Sequence, residues 1–216
     1  MKTSSFLCLI LFLAACSHVD YFGKPWHKEY QSIPGRIQCE LYDEGGEGVA
    51  FHDTDSVNNG SGKLNPANGN FLNEFRMSEA VDISFTKTHG IDDSPFNKTN
   101  PDPDQLYLGW TQPGEWINYT FRVVQSGIYR VSIMYTANGD GEIALSVDDN
   151  SMAIPLSIAT TYNANDTIPW RQWHHWNKVD YQTDFSLKEG VHKLTIRITA
   201  HGNMNLDYLE FRKSVP

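Results

Sequence analysis

Apolar and polar positions alternate with period two through most of the chain beyond residue 34. Tyr119, Phe121 and Val123 stand against Thr120 and Arg122. The same rhythm runs through Tyr129, Val131, Ile133 and Tyr135, through Ile143, Leu145 and Val147, and through Leu194, Ile196 and Ile198. Successive side chains of an extended strand point to opposite faces, so each run predicts a strand with one apolar face. Between the runs stand Ser126-Gly127, Asn138-Gly139-Asp140-Gly141, Glu189-Gly190 and Gly202-Asn203, the turn chemistry of antiparallel connections. No segment carries a helical stripe. Short, one-faced strands need a second sheet to cover them, which predicts an all-β protein, a β-sandwich or jelly roll.

Three regions break the rhythm. Residues 58–75 are rich in Asn and Gly, and residues 86–105 contain Asp92-Asp93-Ser94-Pro95 and Pro101-Asp102-Pro103-Asp104. A third, Thr160 to Ile168, precedes a cluster of tryptophans. Loops of this length usually carry function, and in a sandwich they gather at the ends or edges of the sheets. Residues 17–33, with Tyr21-Phe22-Gly23-Lys24-Pro25-Trp26, show neither period and read as a tether, its aromatics packed on the domain or lying at a membrane surface.

The chain opens with Lys2, an apolar run from Phe6 to Phe12, and then Leu13-Ala14-Ala15-Cys16, the pattern of a signal peptide over residues 1–15. An apolar run of roughly ten residues is too short to cross a bilayer core of about 30 Å as a helix. Leu-Ala-Ala-Cys resembles the bacterial lipobox, which implies cleavage before Cys16 and acylation of Cys16 by palmitate-like chains. That implies a membrane lipid anchor and a place in the bacterial cell envelope, the outer membrane being expected. The expected organisation is thus a lipoprotein signal peptide at 1–15, lipidated Cys16 and tether at 16–33, and one module at 34–216.

Composition narrows the partners. The 216 residues are 40% hydrophobic, enough for one sizeable core, and 17 Lys and Arg against 26 Asp and Glu give a net charge of −9. That balance supplies no electrostatic footprint for nucleic acid or for an anionic membrane surface. Six Trp, ten Tyr and eleven Phe are more rings than such a chain needs to stay soluble. With Cys8 lost and Cys16 acylated, Cys39 is left without a disulfide partner and reads as a small buried hydrophobe on a strand.

Residues 34–213 resemble a family 6 carbohydrate-binding module. The fragments that carry the resemblance appear in order. They are Ile37-Gln38-Cys39-Glu40-Leu41-Tyr42, Gly45-Gly46-Glu47-Gly48-Val49-Ala50-Phe51-His52-Asp53, Arg76 with Val81-Asp82-Ile83, and Leu108-Gly109-Trp110-Thr111-Gln112-Pro113-Gly114-Glu115-Trp116-Ile117-Asn118-Tyr119. Gly127-Ile128-Tyr129, Trp170-Arg171-Gln172-Trp173, Gly190-Val191-His192 and Asn205-Leu206-Asp207-Tyr208-Leu209-Glu210-Phe211 complete them. The resemblance implies a galactose-binding-like jelly roll whose loop cleft holds a sugar between two rings, here Trp110 and Trp170, with Asn205 bonding its hydroxyls. It implies a second cleft on a sheet face in some members, where Trp116 takes part and which residues 86–105 could cover. It also implies a structural Ca²⁺ held by Gln38, Glu40, Asp207 and the backbone oxygen of Arg76. Gln38 stands where Glu is common and removes one formal charge. Oxygen-only ligands suit Ca²⁺, and a hydrogen-bonded network without metal is the alternative reading.

Other residues take plainer readings. Trp173 and Trp176 are expected to pack inside a strand, and His174 and His175 to be solvated, facing opposite ways. Glu47, His52, Asp53 and Asp55 form a polar cluster expected to line the loop cleft. Asp53-Thr54-Asp55 fails as an EF-hand because Val57 stands where the next ligand belongs. A glycosidase needs two carboxylates across the sugar, and nothing in the context of Glu115 or Glu47 marks either as the acid. The expected function is therefore non-catalytic binding of a polysaccharide or oligosaccharide, near partner glycan-degrading enzymes or transporters. The alternatives are a small glycoside hydrolase or lyase on the same jelly roll, or a structural or adhesive surface lipoprotein.

Overall fold

A computed structural model describes residues 24–87, 89–148 and 153–214. The expected signal peptide, Cys16 and residues 17–23 of the expected tether lie outside the described residues. The strands are β1 (Gln31–Ile33), β2 (Gly35–Gln38), β3 (Phe51–His52), β4 (Ser61–Gly62), β5 (Asn65–Pro66), β6 (Ile83–Phe85) and β7 (Leu106–Leu108). They continue with β8 (Trp116–Val123), β9 (Gly127–Ala137), β10 (Gly141–Val147), β11 (Ile154–Ile158), β12 (Asn177–Leu187), β13 (Gly190–Ala200) and β14 (Met204–Lys213). The longest helix among the described residues, α1, spans Phe71–Glu74.

Two six-stranded sheets face each other. One runs β1-β8-β13-β10-β11 with β3 beside β8, and the other runs β12-β9-β14-β7-β6 with β2 beside β14. Neighbours are rarely consecutive in sequence, as a jelly roll requires. The alternating apolar residues meet between the sheets: Phe121, Val123, Ile143, Leu145, Leu194 and Ile196 from one, Ile37, Cys39, Ile133, Tyr135, Leu206 and Phe211 from the other, all buried. The free thiol of Cys39 is one of these core groups.

Alternation fails where something covers an outer face. Asn118 and Thr120 are buried on the outer side of β8 because residues 43–50 lie over them. Asp43 accepts from Thr120 N at 2.7 Å and from Thr120 Oγ1 at 2.6 Å, and Asn118 Nδ2 donates to the Val49 carbonyl at 2.9 Å. On the outer side of the second sheet, Tyr107, Met134, Trp176 and Tyr208 form a separate buried cluster. Residues 86–105 lie over this cluster, with Lys98 N and Thr99 N donating to the Trp176 carbonyl.

The described part of the expected tether is built into the sandwich. β1 pairs in parallel with β8, Ile33 opposite Val123, and Ile33 is fully buried. Pro34 and Gly35 then carry the chain from one sheet to the other. Gly35 takes φ +148°, and a Cβ there would fall 2.6 Å from the Ser32 carbonyl oxygen, so only glycine makes this corner. Trp26 packs against Phe75 at 5.4 Å and lies under the Arg76 guanidinium at 4.4 Å. One three-residue strand and the 3₁₀ turn Trp26–Lys28 have too few residues to show a period, which is why the sequence pattern reads as featureless there. Ile33→Ala is expected to cost about 3 kcal/mol in urea unfolding, the usual range for emptying a buried isoleucine site; a loose tether would give no change.

Candidate functional site

Loops 58–75 and 86–105 and the segment that follows the third loop converge on one cleft of about 480 Å³, lined by Leu64, Asn65, Ser84, Lys87, Ile91, Asp92, Tyr107, Trp110, Trp170, Trp173 and His174. Each wall is held by a buried polar group. In loop 58–75, Asn58 Oδ1 accepts from Gly60 N, Ser61 N and Ile83 N at 2.9, 2.9 and 3.1 Å, fastening the loop to β6. Gly60 lies so close to β6 that a Cβ would fall 1.9 Å from the Ile83 carbonyl oxygen.

In loop 86–105 the fixed point is Asp92, 1% exposed. Its Oδ1 accepts from His174 Nε2 and from Trp176 Nε1, both at 2.7 Å, and its Oδ2 accepts from Lys87 N at 2.7 Å. Burial alone would push the Asp92 carboxyl up; the bond from His174, with those from Lys87 N–H and Trp176, outweighs it and holds the group below the usual carboxylate range.

The third loop is pinned by Asp166. Arg171 Nε and Nη2 donate to it at 2.7 and 3.1 Å, His175 Nε2 lies at 2.9 Å, and Ile168 N donates at 3.0 Å. The Arg171 bonds, opposed by burial and joined by His175, hold this carboxyl far below its ordinary value. Arg171 Nη1 also donates to the Gly90 carbonyl at 3.2 Å and so ties the third loop to the second. Pro169 opens the 3₁₀ turn Pro169–Arg171, and this turn lifts Trp170 into solvent, 56% exposed.

Trp110 stands on strained backbone, φ +48°, an uncommon state for a bulky side chain. It is held there by Asn205 Oδ1, which accepts from Trp110 N at 3.3 Å. Asn205 Nδ2 donates to Thr136 Oγ1 at 2.9 Å and to His174 Nδ1 at 3.0 Å. His174 Nδ1 therefore accepts, which places the ring proton on Nε2, toward Asp92.

A family model described as carbohydrate binding module (family 6) matches residues 82–213, more than half of the chain and all of this cleft except the 58–75 wall. The chain belongs to that family. As a family 6 carbohydrate-binding module it is similar to CBM6cm-2 of Cellvibrio mixtus lichenase 5A, solved in complex with cellotriose. The two are 18% identical over 62% of this chain and 88% of that one, with a TM-score of 0.43. The C-terminal CBM6 of LamC from Zobellia galactanivorans is 17% identical over 51% of this chain and 82% of that one, TM-score 0.39. A family 35 module from Clostridium thermocellum is 20% identical over 55% and 84%, TM-score 0.39. Among curated proteins none matches.

The module's cleft departs from the sequence expectation in several places. Trp110 and Trp170 do line it, but Trp173 lines it as well. Trp173 lies in the turn after the 3₁₀ segment rather than in a strand, so it is not a packing residue. Trp176 is fully buried, as expected. His174 and His175 are buried and bonded to different carboxylates, not solvated, because the flanking loops close over them. Asn205 is 1% exposed and lies beneath the Trp110 backbone with both amide ends committed, not in the cleft lining. The signal that marks Asp92 and His174 in sequence is only a carboxylate in a long loop and a histidine beside tryptophans, which selects neither.

The Glu47, His52, Asp53 and Asp55 cluster lies beside Trp116 rather than in this cleft. His52 Nδ1 is 2.5 Å from Glu47 Oε1, and its ring centroid is 6.4 Å from that of Trp116. Arg197 lies 5.8 Å from the Trp116 ring, and loop 86–105 covers the other sheet. Glu115 accepts from Thr54 N and Oγ1 through one oxygen and from Gln112 N through the other, so it braces a loop. Asp53 is pushed up to about 7, by burial first and then by Glu115, Asp82 and Asp55 against a bond from Asp55 N–H.

The expected metal ligands are partly brought together. Gln38 and Glu40 flank Cys39, whose N–H donates to the Asp207 carbonyl at 2.8 Å. Gln38 Oε1, Glu40 Oε2 and Asp207 Oδ1 are buried without a hydrogen-bond partner. Among the described residues no three His, Cys, Asp or Glu side chains converge as a metal cluster; this set has two carboxylates and an amide. The Arg76 carbonyl accepts from Glu79 N at 3.0 Å, and its guanidinium donates to the Tyr42 and Asp43 carbonyls at 2.5 and 2.9 Å.

Asp92→Ala leaves the imidazole of His174 and the indole of Trp176 buried without their acceptor. It is expected to lower unfolding free energy by about 3 kcal/mol. Because the Asp92 carboxyl is held low, its contribution is present above the ordinary carboxylate pKa and is lost as pH falls through the lower folded-state value. Acid unfolding monitored by circular dichroism should therefore depend less steeply on pH in the variant.

Proposed function

We propose that this module binds a sugar unit of a polysaccharide or oligosaccharide in the loop cleft, without acting on it, and that Trp110, Trp170 and Trp173 are its platforms. Three indoles lining one cleft carry the reading. Sugars offer flat CH faces rimmed by hydroxyls, and rings set against a few directed polar groups match that surface. Asn205 acts from beneath, fixing Trp110 rather than touching ligand. Both carboxylates considered for a hydrolytic role, Glu115 and Glu47, are committed to loop backbone and to His52, which favours binding over hydrolysis. Trp116, flanked by His52 and Arg197, is a candidate for a second, smaller contact.

The same proposal extends to anchorage and metal. Acylation at Cys16 would hold the module at the bacterial envelope, where a captured glycan stays close to enzymes or transporters that use it. Three orphaned buried oxygens fit a hard cation, so Gln38, Glu40 and Asp207, with one lone pair of the Arg76 carbonyl, are the groups that would hold Ca²⁺. Its chemistry there is structural: neutralising two carboxylates that the core cannot.

Glycan-array binding tests the cleft. Trp110→Ala and Trp170→Ala are each expected to weaken binding at least about tenfold, the size of a lost ring contact in a desolvated site; retained binding in both sinks the reading, and depolymerisation of the bound glycan overturns its non-catalytic part.

The metal proposal has a pH signature. Burial is the largest cause pushing Asp207 up to about 8, and burial with the neighbouring Asp207 charge raises Glu40. Without cation the folded state then holds protons that the unfolded chain releases, so stability falls as pH rises from the ordinary carboxylate pKa through about 8. Chelator should lower the melting temperature more at pH 8 than at pH 5, and added Ca²⁺ should restore it. Equal melting with and without chelator at both pH values removes the metal.

A further inference from the structure

The polar groups of the Trp110 and Trp170 cleft are unevenly spent. Asp92, the carboxylate in its lining, is 1% exposed and answers three donors already. Both ring nitrogens of His174 are committed. Asn65 Nδ2 donates to Ser84 Oγ at 3.1 Å, and Ser84 also bonds Tyr107. Among the lining side chains, acceptors left to a ligand therefore reduce to one lone pair of the buried Asp92 Oδ2, the Asn65 amide oxygen and two hydroxyls that already face each other.

Donors remain in plenty. Among the described residues, no hydrogen-bond acceptor answers the indole N–H of Trp110, Trp170 or Trp173, or the Lys87 ammonium. Lys87 Nζ sits 4.2 Å over the centre of the Phe85 ring, a cation–π contact that positions the ammonium while leaving its three N–H groups to bond elsewhere.

A neutral sugar brings hydroxyls that donate as often as they accept, and this lining would leave many of those protons unanswered. A carboxylate or sulfate ester only accepts. We propose that the sugar recognised in this cleft carries such an anionic substituent and that Lys87 is the residue that recognises it. The proposal rests on the reading of the cleft as the glycan site.

The surrounding charges permit it. Asp92 is buried behind its donors, Asp93 Oδ1 accepts from Gly90 N at 3.1 Å, and Asp166 is paired with Arg171 and His175. The net charge of −9 acts at long range, where about 0.15 M salt screens it over roughly 8 Å. Partial burial lowers the Lys87 pKa, with Asp92 acting against it, so the ammonium lacks full solvation and gains from an anionic partner.

An array carrying uronic-acid oligosaccharides, sulfated galactan oligosaccharides and their neutral counterparts tests this with wild type, Lys87→Met, Lys87→Arg and Trp170→Ala. Lys87→Met keeps the aliphatic stem on Phe85, and thermal melting verifies that each variant is folded. The tightest ligands sensitive to Trp170→Ala should be acidic, Lys87→Met should weaken them by about tenfold or more, and Lys87→Arg should keep most of the affinity. Amidating the carboxylates or removing the sulfates then shows which group is read. If the tightest Trp170-dependent ligands are neutral and Lys87→Met binds them like wild type, the anionic reading falls and the cleft stands. If no glycan binds in a Trp170-dependent way, both fall.

Discussion

One buried carboxylate, Asp92, organises the cleft. It sits in a segment of Asp, Pro, Ser and Asn that has little apolar surface of its own to bury. Two donors from the segment before β12 and one backbone N–H from its own loop surround it. A charge this deep survives only when donors replace the water it has lost, and these do. Since His174 gives its proton to Asp92, its other nitrogen must accept, and Asn205 must turn its amide N–H toward it. The Asn205 oxygen then faces Trp110 N and holds that residue at positive φ. A carboxylate in one loop thereby sets the backbone that carries the Trp110 ring in another.

Asp166 does the parallel task for the opposite wall. Its partners, Arg171 and His175, flank the turn that lifts Trp170 out of the surface, and Arg171 reaches across to the Gly90 carbonyl. The rings proposed as platforms are thus carried on short irregular backbone, but each such piece is fixed at a buried ionic point. That is the arrangement a preformed binding site needs, because rings already ordered lose little freedom when a ligand arrives.

The strands and their turns were legible from alternation, since period two survives wherever one face is buried and the other wet. Alternation misled where a loop covers the outer face, as at Asn118, Thr120 and Met134, and it was silent on β1, which has only three residues. For the cleft, Trp110 and Trp170 came from the family resemblance, and the structure sets both in its lining. Trp173 was hidden because Pro169 starts a turn that carries past it, where a continuous strand was expected. His174, His175 and Asp92 were hidden for a deeper reason: their roles depend on pairings across about eighty positions of sequence or on loop closure, and no local pattern encodes either.

The buried carboxylates of this chain divide by what surrounds them, and the division is physical rather than positional. Asp92 and Asp166 meet N–H groups from side chains and backbone and stay ionised. Glu40 and Asp207 each keep an oxygen with no donor, and burial drives both upward, joined at Glu40 by the Asp207 charge and opposed at Asp207 by Arg36. Asp207 follows Leu206 and precedes Tyr208 in a strand, and a carboxylate there could be seen in advance to point where water is scarce. A protein that needed only hydrogen bonds at this place could have used Asn and Gln, which carry no such penalty. Two carboxylates beside the Gln38 amide oxygen, with the Arg36 charge acting on Asp207 to oppose its burial, are the groups the proposed Ca²⁺ would neutralise.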